Sequence, residues 1–232
     1  MSATKDVPTL APFAEPNQGW PRLRAWLDLT FVDHGFIRNV YCNRHRVTPN
    51  LWRSAQPGPR HLRWAKAHGI KTVLNLRGQR DGCGAYQTER DACAMLGLNL
   101  INFPCRSRGM PEKSTLFETA KLFQRLEYPI LMHCKSGADR AGFFGALFLH
   151  LYEGQPMAKA AGQLSLRYGH IRASKTGSLD VFLERYIRDT GGERPAEFEP
   201  WVDQVYDPAA FNAAYSASRA GSFFVDRILR RE

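Results

Sequence analysis

Short apolar segments alternate with longer segments of helical periodicity between residues 51 and 190. The apolar segments predict β-strands, because each is short and bounded by Gly, Pro or polar residues. The predicted strands are residues 51–54, 71–76, 98–103 and 129–133. The predicted helices are residues 60–68, 86–96, 114–126 (capped by Ser114), 140–152, 157–168 and 179–190. This alternation predicts an α/β fold with a mostly parallel central sheet flanked by helices, in which the helices after residue 140 cover one face.

The two ends of the chain differ in composition from this central region. The first residues are polar and Pro-rich, which favours disorder, and residues 20–41 mix aromatic residues, Leu and Arg in a pattern that suits a helix. Residues 193–232 suit a linker with one or two helices. The predicted organisation is a disordered leader at 1–19, one domain at 20–190, and a linker with a C-terminal helical tail at 191–232.

The excess of positive charge narrows the choice of partners. The chain has 232 residues, of which 44% are hydrophobic, so it has enough apolar material for a core. Its 32 Lys and Arg against 22 Asp and Glu give a net charge of +10, which favours phosphorylated molecules, nucleic acid or an acidic membrane surface. Nucleic acid is disfavoured, because the basic residues are spread along the chain. The basic residues 211–232 are interpreted as a helix packed on the domain, or alternatively as a peripheral membrane contact.

The sequence predicts a cytoplasmic protein. The first residues lack the apolar core of a secretory signal, and no stretch of eighteen apolar residues could span a membrane. The five cysteines are odd in number and lack metal-ligand spacing, so we expect free thiols and no cofactor or metal. Four of the cysteines are expected to serve in packing: Cys42, Cys83, Cys93 and Cys105. One of these four could protect the fifth cysteine by forming a disulfide with it after oxidation.

The remaining cysteine, Cys134, lies in HCKSGADRAG (residues 133–142), between a predicted strand and a predicted helix. Such a loop directs its backbone N–H groups inward and adds the positive end of the helix dipole, which predicts an anion-binding site. Gly137 allows a backbone conformation that a side chain would resist. The N–H groups also stabilise a thiolate, and Arg140 is placed to bind two oxygens of a tetrahedral oxyanion.

Because a thiolate that faces a bound phosphate can attack phosphorus, we expect hydrolysis of phosphate esters in two steps, without a metal ion. Cys134 attacks phosphorus to form a cysteinyl-phosphate as the alcohol or phenol leaves, and water then hydrolyses this intermediate. His133 is expected to support the loop and tune Cys134 through hydrogen bonds. The predicted phosphate-binding residues are Lys135, Ser136, Gly137, Ala138, Asp139 and Arg140.

The segment HCKSGADR resembles the His-Cys-five residues-Arg signature of the protein tyrosine phosphatase superfamily, in particular its bacterial dual-specificity and lipid-phosphatase-like branch. LWRSAQP (residues 51–57) and KTVLNLRG (residues 71–78) are similar to two other segments of such domains. The resemblance covers about residues 40–190. It implies the cysteine phosphatase fold and an enzyme that acts on phosphotyrosine or dual-specificity protein substrates, or on phosphorylated lipids.

The general acid departs from the pattern that this resemblance implies. Much of the family uses an aspartate on a loop some thirty residues before the cysteine, and the corresponding residues 102–114 contain none. The first substitute is Asp139, because some members resemble this chain in having an aspartate immediately before the arginine, where it is the proposed acid. Glu112 and Asp81 are the alternatives.

A second departure from the family pattern concerns the breakdown of the intermediate. Ala141 stands where the family has Ser or Thr, whose hydroxyl helps the thiolate to leave, so we expect slower breakdown of the intermediate. A catalytically impaired, phosphate-binding pseudophosphatase is therefore the alternative function.

Lys135 resembles a loop lysine of phosphoinositide 3-phosphatases, and with Arg106 and Arg108 it favours a substrate that carries several negative charges.

Overall fold

A five-stranded sheet forms the centre of the computed structural model, which describes residues 42–106, 109–174 and 176–216. Its order is β1-β2-β5-β3-β4, in which β1 is antiparallel to β2 and the other neighbours are parallel. The predicted mostly parallel sheet is therefore confirmed. The leader and the helix predicted at residues 20–41 lie outside the described residues. The strands are β1 (His45–Arg46), β2 (Leu51–Ser54), β3 (Thr72–Asn75), β4 (Asn99–Asn102) and β5 (Ile130–His133).

Helices cover both faces of the sheet. One core contains β2, β5 and apolar residues of α3, α4, α6 and α7, whereas α1 and α2 pack on the opposite face. Helix α4 is buried along most of its length, because its residues are apolar on every side. Residues 208–216 are also helical. The helices are α1 (Pro59–Ala67), α2 (Gly84–Leu96), α3 (Lys113–Arg125), α4 (Asp139–Leu151), α5 (Met157–Ala160), α6 (Ser178–Thr190) and α7 (Phe198–Gln204).

The carboxyl ends of the three central strands meet at one edge of the sheet. His133, the last residue of β5, pairs in register with Ser54 of β2 and Asn75 of β3. The loops that follow parallel strands emerge at the same edge, which is where open α/β sheets place their ligand sites. The register therefore brings the loop that contains Cys134 next to the ends of the two segments that resemble the phosphatase family.

Two sequence predictions about helices are wrong. Residues 157–168 do not form one helix: α5 is followed by 3-10 turns at Ala161–Gln163 and Leu166–Tyr168. The break has a physical cause, because the carbonyl of Gln163 accepts a hydrogen bond from Arg53 (2.7 Å) instead of continuing the helical ladder. Ser114 does not cap α3 but lies inside it, and no side chain caps this helix.

The stretch predicted as linker and tail contributes to the main core. Phe198, Trp201, Val202 and Tyr206 are all buried against α3 and α6 or the residues around them. The bounds of the predicted domain stay a prediction, but the residues just beyond 190 pack with it. The last part of the predicted tail lies outside the described residues.

Candidate active site

Cys134 begins the cysteine loop, which we define as residues 134–140. It directly follows β5 and is 2% exposed. The loop leads into α4, whose first two residues are Asp139 and Arg140. The first N–H groups of a helix have no acceptor within it, and the helix dipole places partial positive charge there. The cysteine therefore lies where an anion is favoured.

The carbonyl groups of the cysteine loop point outward. Four consecutive ones accept hydrogen bonds from the surrounding protein. In a trans peptide the N–H points opposite to the C=O, so the amides of residues 136–139 point away from these donors and into the loop. The amide of Ala138 also donates a long hydrogen bond to Oγ of Ser136 (3.4 Å). The sequence predicted this inward orientation, and the structure supplies its cause. The bonds are Gln56 N–H to Lys135 (3.3 Å), Asn43 Nδ2 to Ser136 (2.9 Å), and Arg53 Nη2 to Gly137 (2.7 Å) and Ala138 (3.0 Å).

Arg53 donates two of these four hydrogen bonds to the cysteine loop. It is fully buried, and its Nη1 also donates to the carbonyl of Gln163 (2.7 Å) and to the side chain of the same residue (2.9 Å). The guanidinium carbon lies 4.0 Å from the centre of the Tyr168 ring. Burial lowers the pKa of Arg53 to about 10, so the side chain remains charged at neutral pH. Sequence reasoning assigned this arginine no role, because its acceptors are carbonyls in distant segments.

Gly137 is required by both conformation and space. Its φ is +73°, in the left-handed region that L side chains rarely adopt. A Cβ built on Gly137 would lie 2.6 Å from the backbone N of Ala55 and the backbone C of Ser54. The sequence predicted the special backbone conformation of Gly137, and the structure adds that the cysteine loop packs directly on the chain at the end of β2.

Arg140 reaches across the edge of the sheet. Its Nη1 donates to the carbonyls of Leu76 (3.2 Å) and Cys105 (3.4 Å), which follow β3 and β4. The arginine is partly exposed, so its remaining donors are available to a bound anion. This position suits a group that binds phosphate oxygens beside the cysteine.

A series of connected polar side chains begins at His133, the residue before the cysteine loop. The Nε2 of His133 lies 2.6 Å from Oε1 of Glu89, and both side chains are fully buried. Among the residues that the structure describes, neither atom has a hydrogen-bond partner, and their mutual contact is close but not aligned as a hydrogen bond. Glu89 accepts a hydrogen bond from Gln56 (2.8 Å), which in turn accepts one from Arg77 (2.7 Å). Sequence reasoning placed His133 in a supporting role but missed Glu89, whose only signal is a carboxylate on the apolar face of a predicted helix.

Asp139 is hydrogen-bonded to two side chains from beyond α4. Its Oδ1 accepts from His170 Nδ1 (2.7 Å) and Thr176 Oγ1 (2.9 Å), and the Nε2 of His170 lies 2.7 Å from Oδ2 of Asp180. Burial acts to raise the pKa of Asp139, but the hydrogen bonds and the charges of His170 and Arg140 outweigh it and lower the pKa. Burial likewise acts to lower the pKa of His170, but its two carboxylate partners raise it to about 9.

The two alternative acids are bonded to side chains outside the cysteine loop. Glu112 is 3.5 Å from the exposed side chain of Arg106, and Asp81 accepts from Gln79 (2.8 Å). Within the described residues, neither carboxylate has a hydrogen bond or ion pair with the cysteine loop. Arg108 lies outside the described residues. Lys135 and Ser136 are exposed on the cysteine loop itself.

All five cysteines are free thiols. Cys105 lies beside the site, since its carbonyl accepts from Arg140 and its thiol donates to the carbonyl of Leu76 (3.5 Å). Burial raises the pKa of this thiol well above its ordinary value. Cys105 is therefore neutral at physiological pH, unlike the thiolate that the sequence predicts at Cys134.

Two further features concern metals and membranes. Among the residues that the structure describes, no group of three or more His, Cys, Asp or Glu side chains has the arrangement of a metal site. In the same part of the chain, every helix is too short or too polar to cross a bilayer.

Comparison with known families agrees with this geometry. A family model described as "DSP-PTPase phosphatase fused to NAD+ Kinase" matches residues 37–177, which contain the sheet, the cysteine loop and His170. The match covers more than half of the chain.

Two curated relatives are both called dual specificity protein phosphatase TpbA. The protein from Pseudomonas aeruginosa strain UCBPP-PA14 is 28% identical over 113 residues, which are 48% of this chain and 48% of the relative. Its counterpart from strain PAO1 is 28% identical over 120 residues. The chain spans about half the length of the curated relatives it matches.

Solved structures with a similar arrangement include P. aeruginosa TpbA and PTPMT1. The first is 19% identical, with a TM-score of 0.49, and the match covers 75% of this chain and 91% of that one. PTPMT1 is 15% identical, with a TM-score of 0.46, over 64% of this chain and 98% of the other.

Proposed function

The chain belongs to the family described as a DSP-PTPase phosphatase fused to NAD+ kinase, and we propose that it hydrolyses phosphomonoesters through a cysteinyl-phosphate, without a metal ion. One observation carries this proposal: four consecutive carbonyls of the cysteine loop are bonded outward, so that four amides point inward. Inward amides at a helix N-terminus bind the oxygens of a phosphoryl group. The nucleophile at the start of the loop then faces phosphorus.

The first step of the reaction forms the intermediate. The thiolate of Cys134 attacks phosphorus, the bond to the leaving oxygen breaks, and Asp139 is proposed to protonate that oxygen. The inward amides and Arg140 stabilise the charge on the equatorial oxygens. His133 supports this geometry through the buried contact with Glu89. In the second step water attacks the cysteinyl-phosphate and the thiolate leaves.

The proposed substrates are proteins phosphorylated on tyrosine or at sites of dual specificity, or phosphorylated lipids. The name of the curated relatives supports a protein substrate. The exposed Lys135 on the cysteine loop, and Arg106 on a neighbouring loop, support a substrate with several negative charges. A contact of residues 211–232 with an acidic membrane surface stays a prediction.

Hydrolysis of para-nitrophenyl phosphate in the presence of a chelator tests the proposed function. We expect activity in the wild type, none above background in Cys134→Ser, and a phosphorylated Cys134 in acid-quenched samples analysed by mass spectrometry. Cys83→Ser is the matched control, because Cys83 precedes α2 and serine is a favourable residue before a helix. Activity that survives in Cys134→Ser, or that the chelator abolishes, would contradict the proposal.

A second candidate, a phosphate-binding protein with impaired turnover, is favoured by Ala141. This residue is fully buried at the start of α4 and has no hydroxyl to assist the leaving thiolate. We expect the wild type to show a burst of product followed by slow turnover, and Ala141→Ser to turn over faster. A burst without any later turnover, in both proteins, would favour the second candidate over the first.

A further inference from the structure

His170 forms a cluster with Asp139 and Asp180, and of these three residues the mechanism above uses only Asp139. The ring is 2% exposed, and each of its nitrogens lies 2.7 Å from a carboxylate oxygen: Nδ1 from Asp139 and Nε2 from Asp180. An ionised carboxylate can only accept hydrogen bonds, so both ring nitrogens must donate. The geometry therefore describes an imidazolium held between two carboxylates.

The groups around His170 come from two parts of the chain, the start of α4 and the start of α6. Asp139 begins α4, Asp180 lies in the first turn of α6, and Thr176 precedes α6 and donates to the same oxygen as His170. The charges of His170 and Arg140 act on the carboxylate of Asp139, and Asp139 in turn acts on the buried Arg53. The second oxygen of Asp139, Oδ2, has no hydrogen-bond partner among the described residues, and the side chain is 25% exposed.

A general acid must hold a proton before it can donate one. The surroundings of Asp139 lower its pKa, so this carboxyl group on its own would be ionised at neutral pH. The proton of the pair belongs instead to His170, whose pKa is raised to about 9. The two groups are directly hydrogen-bonded and therefore share one proton across the neutral range.

We propose that His170 is a positioning residue that supplies Asp139 with the proton it delivers to the leaving oxygen, and this inference rests on the proposed function. The shared proton moves from Nδ1 of His170 to the carboxyl group of Asp139. It then passes to the leaving oxygen as that oxygen's bond to phosphorus breaks and the bond from Cys134 Sγ forms. The pair is left as neutral imidazole and carboxylate.

The second step restores the cluster. Water forms a bond to phosphorus, the bond between phosphorus and Sγ breaks, and one proton of the water returns to the Asp139–His170 pair. Asp180 keeps its hydrogen bond to Nε2 throughout and fixes the ring with Nδ1 facing Asp139. No oxidant, reductant or further reactant takes part.

The test uses the full chain and phosphate esters whose leaving groups differ in pKa. A leaving group of low pKa, such as para-nitrophenol, needs little protonation, whereas an alkyl phosphate depends on the acid. His170→Asn keeps an amide donor near the position of Nδ1 but cannot supply a proton. We expect it to lower kcat/KM for alkyl phosphates by about 100-fold or more, with a much smaller effect on para-nitrophenyl phosphate.

The pH profile gives a second readout. In the wild type, hydrolysis of the alkyl ester should persist until the pH rises through about 9, where the pair loses its proton. In His170→Asn only a carboxyl group remains, so the basic limb should move down towards its ordinary range of about 4. The control is His150→Asn, because His150 is also fully buried but is bonded to Gln155 and Tyr186, outside the site.

The results of these experiments distinguish a failure of the proposed function from a failure of the inference about His170. A wild type inactive on all esters refutes the proposed function, and this inference with it. Equal losses on aryl and alkyl esters, or an unmoved basic limb in His170→Asn, refute the inference alone. If His170→Asn does not fold, nitrogen-15 NMR of the wild-type imidazole decides: a doubly protonated ring at pH 7.5 supports the inference, and a neutral ring overturns it.

Discussion

A methyl group added at Gly137 would be unfavourable for two reasons, backbone conformation and lack of space. Gly137→Ala would place an L side chain at a φ of +73° and a Cβ 2.6 Å from the backbone that follows β2. The conformation alone is unfavourable by about 1–2 kcal/mol, and backbone atoms cannot move aside as a flexible side chain can. We expect lower thermal stability and at least tenfold lower activity on para-nitrophenyl phosphate.

Gly154→Ala is the matched control for this substitution. Gly154 has a similar φ of +70°, but nothing lies within 4 Å of a Cβ built there. Only the conformational part of the destabilisation should appear, and activity should be unchanged. Equal effects of the two substitutions would show that close packing on the cysteine loop is unimportant.

His170 also makes stability depend on pH. Its pKa rises from 6.5 in the unfolded chain to about 9 in the folded protein, so the folded state binds this proton more tightly. The stabilisation is complete below about pH 6.5 and is lost as the pH rises through about 9. We expect the free energy of unfolding in urea to fall over this interval, and to fall less in His170→Asn. An equal decrease in both proteins would contradict the role of this residue.

At the scale of elements, the Glu89 side chain connects α2 to the residues around the cysteine loop. Glu89 brings a carboxylate to His133 and accepts a hydrogen bond from Gln56, in surroundings closed to water. Glu89→Gln replaces one acceptor with a donor, and leaving a buried polar group unsatisfied destabilises by about 1–3 kcal/mol. We expect a decrease of that size in the urea-unfolding free energy, together with reduced activity.

Glu118→Gln on α3 serves as the control for Glu89→Gln. Glu118 is half exposed and pairs with Lys121 at 3.8 Å. Exposed ion pairs contribute little, so the expected change is below about 1 kcal/mol. Similar effects of the two substitutions would mean that the contact between Glu89 and His133 does not support the cysteine loop.

At the scale of the whole molecule, the chain beyond residue 190 completes the core. Trp201 is 3% exposed and lies against the rings of Phe182, Tyr186 and Tyr206. Removing a buried aromatic side chain typically destabilises by about 3–5 kcal/mol. We expect Trp201→Ala to lower the urea-unfolding free energy by that amount. Val205→Ala, at a residue that is 48% exposed, should have little effect.

If the residues after 190 were a separate tail, Trp201→Ala would leave the main unfolding transition in place. A second, independent transition would then appear in the urea titration. A single cooperative transition that shifts as a whole is the result expected from the shared core. The sequence suggested a division at this point because the composition changes there, but composition does not report what a segment packs against.

The sequence by itself determined the elements and the chemistry that is local along the chain. Strands and helices follow from periodicities of a few residues, and Cys134, Gly137 and Arg140 lie within seven residues of one another. A strand, a short loop and a helix start are sufficient to predict an anion site with a nucleophile. The wrong helix at residues 157–168 shows the limit of this reasoning, because a distant arginine takes one of its carbonyls.

Only the tertiary structure decided how the cysteine loop is held and which side chains are hydrogen-bonded to Asp139. Asn43 and Ser136 are 93 residues apart, Arg53 and Gly137 are 84 apart, and His170 is 31 residues from Asp139. Hydrogen bonds act between neighbours in space, and many carbonyls and carboxylates along the chain could have accepted them equally well. Choosing among those acceptors required the strand register and helix packing, which are properties of the folded chain as a whole.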